Sequence, residues 1–153
     1  MTYLDKDNTD PLLIYKLGVE QLEIDPKKAY FWVCRSLELI LISICNDFSI
    51  HFKDEDVYLS RLLYAVHELH LLPKNIVKDL NIVIMFRNNL VHYKVFVDER
   101  NPEPIMVHVE YVRNFLQWYL TSYQNGPKMT KQEADSLLPS ISPRSSGVKN
   151  EER

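Results

Sequence analysis

Apolar residues recur at three- and four-residue steps along most of the chain, and the steps break at prolines. Leu12, Tyr15, Val19 and Leu22 form one stripe behind Asn8, Thr9, Asp10 and Pro11, which predicts a first helix over residues 11 to about 23. Asp25-Pro26 repeats that start signal. Ala29, Val33, Leu37, Ile40, Leu41 and Ile44 then predict a second helix ending near residues 46–48. SIHF reads as a short extended piece, and KDED as a turn and helix start. A third helix is expected over residues 57–71, with Leu59, Leu62, Leu63, Val66 and Leu69 inward. Pro73 opens a fourth, in which Ile76, Leu80, Val83, Ile84 and Leu90 make an apolar face nearly continuous around NIVIMF. A helix apolar on most sides is buried on most sides or pairs with another chain. After an irregular connection ending at Pro102 and Pro104, a last helix over residues 105 to about 123 packs Val109, Val112, Phe115, Leu116 and Tyr119.

These elements predict an all-α, up-and-down bundle of about five helices over residues 10–124, after a flexible N-terminus at 1–9. From Gln124 the composition changes to Gly126, Pro127, Pro139, Pro143 and SSGVKNEER, which reads as a disordered tail over 125–153. With 153 residues there is room for one domain with a real core. Only 3 glycines suit a helical chain with few tight turns.

The net charge of −3 argues against indiscriminate coating of nucleic acid, which needs many cations to replace phosphate counterions, but it allows a local phosphate site. Cys34 and Cys45 lie on one face of the second helix, about 16 Å apart at about 1.5 Å per residue, too far for a disulfide. Both read as reduced, buried thiols of a cytoplasmic protein. The polar start MTYLDKDNTD does not resemble a signal peptide, and LELILISIC is too short to span a bilayer, so no membrane partner is expected.

Candidate chemistry gathers where the fourth helix ends, in MFRNNLVHYKVF. At about 100° per residue, Arg87 and His92 lie about 140° apart on a regular helix and do not point together. Asn88 and His92, four apart, share a face. Either the helix frays at Leu90 and Val91, or Arg87 of one copy meets His92 of another across a two-fold axis. Histidine gives and takes a proton near neutral pH, and the planar arginine fork matches phosphate oxygens. A base beside a phosphate clamp suits internal cleavage of RNA. The base takes the ribose 2′-hydroxyl proton, that oxygen attacks phosphorus, and the arginine stabilises the developing charge. A blander alternative is that the two cations merely complement the negative end of the helix.

A helical chain of this size with Arg87, Asn88 and His92 spaced as Arg-Asn-x-x-x-His, behind an apolar helix and before another helix, resembles the HEPN superfamily (higher eukaryotes and prokaryotes nucleotide-binding). The likeness is greatest to the HepT-like ribonuclease toxins. The resemblance implies metal-independent RNA cleavage with no cofactor, by Arg87 and His92 supported by Asn88, in a site formed across a homodimer. Asn89 and Lys94 are the further candidates for RNA contact. It also implies a toxin–antitoxin or defence setting with a nucleotidyltransferase antitoxin that attaches AMP to a tyrosine two residues after the histidine. Here Lys94 holds that position and Tyr93 precedes it, so the AMP-accepting role of Tyr93 stays open. A helical dimerisation module without catalysis, binding a partner protein or nucleotide, is the alternative reading.

Other constellations carry less. His67 and His70 are three apart, without the spacing of a zinc-protease pair. Asp54, Glu55 and Asp56 read as a helix start. Tyr30, Phe31, Trp32, Phe115, Trp118 and Tyr119 have the spacing of core or interface packing, with base stacking as the alternative.

Overall fold

A computed structural model describes residues 10–92 and 103–139, except the side chains of Asp56 and His92. Six α-helices follow one another in it: α1 Pro11–Glu20, α2 Pro26–Asp47, α3 Leu59–His67, α4 Lys74–His92, α5 Glu103–Thr121 and α6 Lys131–Leu137. A 3₁₀ turn, Asp54–Asp56, precedes α3, and there is no strand among the described residues. The all-α bundle stands, with one helix more than expected.

Local chemistry sets the starts of α1 and α2. The Asp10 carboxylate accepts from the amides of Leu12 and Leu13 at 3.1 and 3.3 Å, and Asp25 accepts from Lys28 at 3.2 Å. Each caps otherwise unpaired amides ahead of a proline that needs no donor partner. The two helices approach closely at Gly18, where an added Cβ would stand 3.0 Å from Val33 Cγ2 and 3.2 Å from the Ala29 carbonyl oxygen.

α2 is the central element and packs on α1, α3, α4 and α5. Its buried residues include Ala29, Val33, Leu37, Leu41 and Ile44. The whole helix, longer than the run LELILISIC, is long and apolar enough to cross a membrane by length and composition, with 56% of the relevant window buried within the bundle. A core helix meets the same criteria. Cys34 and Cys45 are both buried free thiols.

Several boundaries differ from the sequence reading. α1 ends at Glu20 because 21–24 turn back, with Leu22 and Ile24 amides bonding Val19 and Gln21 carbonyls. SIHF forms no strand, and α3 begins only after an extended Tyr58. α3 also closes early, by His67, and His70 takes a left-handed φ of 58° that stops helical continuation.

The largest correction concerns residues 125–139, which were expected to be disordered. Thr130 and Glu133 form a reciprocal capping box for α6. Ala134 and Leu138 are fully buried. Arg113 Nη2 donates to the Leu138 carbonyl at 2.9 Å, and Gln117 Nε2 donates to Asp135 Oδ1 at 2.7 Å. The buried Tyr123 hydroxyl, donating to Asp47 Oδ2 at 2.8 Å, ties the turn after α5 to the end of α2. The folded unit therefore runs past residue 124.

Candidate active site

Of the two ways to bring Arg87 and His92 together, fraying at Leu90 and Val91 does not occur: α4 stays helical through His92. Its inward side carries Leu80, Val83, Ile84 and Leu90, all buried. Arg87 falls on that same side, while Met85 on the opposite side is 62% exposed. By register, positions 88 and 92 fall toward the Met85 side. One copy of the helix therefore separates the arginine from the histidine position.

Arg87 is not lost in the core. It lines a cleft of about 330 Å³ together with Val91 of α4, Phe31, Cys34, Arg35 and Glu38 of α2, and Leu59 of α3. Arg87 Nη1 donates to Asn88 Oδ1 at 3.4 Å, a long contact that biases the guanidinium without locking it. Across the cleft, Arg35 Nη1 meets Glu38 Oε1 at 2.9 Å. Two arginines and one carboxylate thus line the same recess.

The register between α2 and α4 is fixed one turn away. Tyr30, fully buried, donates its hydroxyl to the Val83 carbonyl at 2.7 Å. Burial pushes the ionisation of Tyr30 well above its ordinary range, with the neighbouring Cys34 adding to the shift. Burial pushes the Cys34 thiol up to about 12, and the positive charge of Arg87 offsets only part of that. Cys34 is consequently a thiol at neutral pH and no nucleophile.

On the other flank Phe86 stacks on His108, with centroids 4.4 Å apart and planes 8° from parallel. Tyr30 and Tyr111 meet the same imidazole edge-on. His108 Nδ1 lies 2.6 Å from the Pro104 carbonyl, which only accepts, so Nδ1 carries the hydrogen. Nothing in the local sequence marks His108, because only the pairing of α4 with α5 brings it beside the residue preceding Arg87.

Asn88 and Asn89 are half-buried around the motif. Tyr93 and Lys94 lie outside the described residues. His67 and His70 are exposed, and among the described residues no three His, Cys, Asp or Glu side chains converge on a point. The aromatic residues of α5 pack on one another: Phe115 with Trp118 at 5.9 Å, and Tyr119 with Tyr123 at 5.3 Å. Comparison of the chain with protein-family models, with curated proteins and with solved structures finds no match.

Proposed function

We propose that this chain is an endoribonuclease that needs no metal, acting at a site shared between two copies related by a two-fold axis. The observation that carries this reading is the placement of Arg87. It lines an open cleft on one side of an unbroken helix, whereas position 92 falls on another side. A second copy supplies what one copy holds apart.

In this mechanism His92 takes the proton from a ribose 2′-hydroxyl, and the freed oxygen attacks the adjacent phosphorus. Arg87 holds the phosphate and stabilises the negative charge that grows on its oxygens, as a planar, permanently charged fork does well. Asn88, already within reach of Arg87, orients the guanidinium or a phosphate oxygen. The bond to the 5′-oxygen breaks and that oxygen takes up a proton, leaving a 2′,3′-cyclic phosphate and a 5′-hydroxyl. Asn89 and Lys94 extend the contact along the strand. The setting implied by the HEPN-like motif is a toxin or defence nuclease, restrained by a nucleotidyltransferase partner.

The test is direct. Purified protein freed of partners cleaves RNA in EDTA and leaves the cyclic phosphate, and Arg87→Ala or His92→Ala abolishes cleavage with the helical circular dichroism intact. Cleavage retained in both variants rejects the assigned site.

A second reading keeps the dimer without the chemistry. Met85 and Val91, 62% and 44% exposed, flank the motif on α4 and serve an interface whatever the polar residues do. Wild-type protein that dimerises and captures a partner, yet cuts no RNA, selects this reading.

A further inference from the structure

Arg35 has no part in the mechanism above, yet it lines the same cleft as Arg87. It comes from α2, the central helix, so its backbone is held on several sides. Its side chain is 34% exposed, and its guanidinium is turned along α2 by Glu38, which is 22% exposed. An i,i+3 ion pair at such a surface contributes little to a helix, so stability gives no strong reason for an arginine here. What the pair does achieve is order. Glu38 occupies one edge of the Arg35 fork, which leaves other N–H donors of the five for a ligand. The recess then offers two fixed cations from two helices and one carboxylate, a net positive cleft on a chain that is negative overall.

We infer that Arg35 is a second phosphate contact, holding the phosphate next to the scissile one on a single-stranded RNA. The inference rests on the nuclease reading for the identity of the strand. It assigns Arg35 a positioning role, because the neighbouring phosphate undergoes no chemistry. Its contact is the same in the ground and transition states, so it acts on KM and leaves kcat nearly unchanged. Glu38 disfavours a third phosphate by charge, which limits the cleft to a short stretch of strand.

The experiment compares wild type, Arg35→Ala and Arg35→Lys on two substrates: a dinucleoside monophosphate, and the same dinucleotide carrying one further terminal phosphate. Wild type shows a lower KM for the substrate with two phosphates, by about tenfold for one charge-assisted contact. Arg35→Ala removes that preference while leaving kcat on the shorter substrate unchanged, and Arg35→Lys restores part of it. A preference that survives in Arg35→Ala, or an equal fall of kcat on both substrates, overturns the assignment while the nuclease reading stands. Failure of wild type to cleave both these substrates and longer RNA overturns the nuclease reading instead. Binding of a single-stranded oligoribonucleotide then judges Arg35: its loss should reduce the slope of log affinity against log salt by about 0.7. An unchanged slope overturns the inference.

Discussion

The Tyr30 hydroxyl donates to the carbonyl of Val83 at 2.7 Å, across the packed faces of α2 and α4 and wholly out of solvent. In an α-helix that carbonyl also receives the amide of the residue four further on, which here is Arg87. One hydrogen bond thus fixes the height at which Arg87 stands against Cys34, Arg35 and Glu38.

Tyr30→Phe keeps the ring and removes the pin. The Val83 carbonyl retains its helical partner, so the cost should be about 1 kcal/mol, a fall in Tm of roughly 2–4 °C. RNA cleavage should fall more steeply than stability, because a small slip of α4 on α2 misplaces the guanidinium. Thermal unfolding and cleavage rates on the same samples check this. Full activity in a variant that melts lower would separate the pin from the site.

The thiol of Cys34 makes stability depend on pH in one direction. Burial raises it from an ordinary 9.0 to about 12, and burial raises Tyr30 from 10.0 in the same sense. A group with a folded-state pKa above its unfolded value contributes stability that is complete below the unfolded value and is lost as pH rises toward the folded one. Stability should hold level through neutrality as far as these groups are concerned, then decline from pH 9.0 toward about 12. Urea midpoints at about pH 8 and about pH 10.5 measure it. Cys34→Ala should make the decline shallower and leave the part due to Cys45, whose thiol burial also raises, and to the tyrosines; an unchanged midpoint in wild type would contradict this reading.

Residues 125–139 offer a test of packing. Leu138 is fully buried and its carbonyl accepts from Arg113. Leu138→Ala should therefore cost about 2–5 kcal/mol, the range for truncating a buried leucine. Urea denaturation with an unchanged slope and a lower midpoint is the expected result. No change in the midpoint would mean that α6 contributes nothing to the fold.

How legible these features were in the sequence follows from the range of the interactions behind them. α1 and α2 announce themselves through Asp10-Pro11 and Asp25-Pro26, where cap and proline act within three residues. α6 was hidden because a polar, proline-flanked segment buries little beyond Ala134 and Leu138. The groups that hold it, Arg113 and Gln117, stand a helix away. The early end of α3 depends on the left-handed backbone at His70, which no apolar spacing records. At the site, local spacing singled out Arg87, Asn88 and His92. Arg35, Glu38 and His108 escaped because they belong to other helices, and only the packing of α2 and α5 on α4 brings them near.

The proposed activity depends above all on Arg87 and His92 acting from different copies of the chain. Mixing separately inactive Arg87→Ala and His92→Ala proteins under conditions that exchange subunits tests this most directly. A site shared between copies predicts that half of the dimers become mixed and regain one intact site of two, restoring about a quarter of the wild-type rate. A mixture no more active than either variant alone would contradict the shared site.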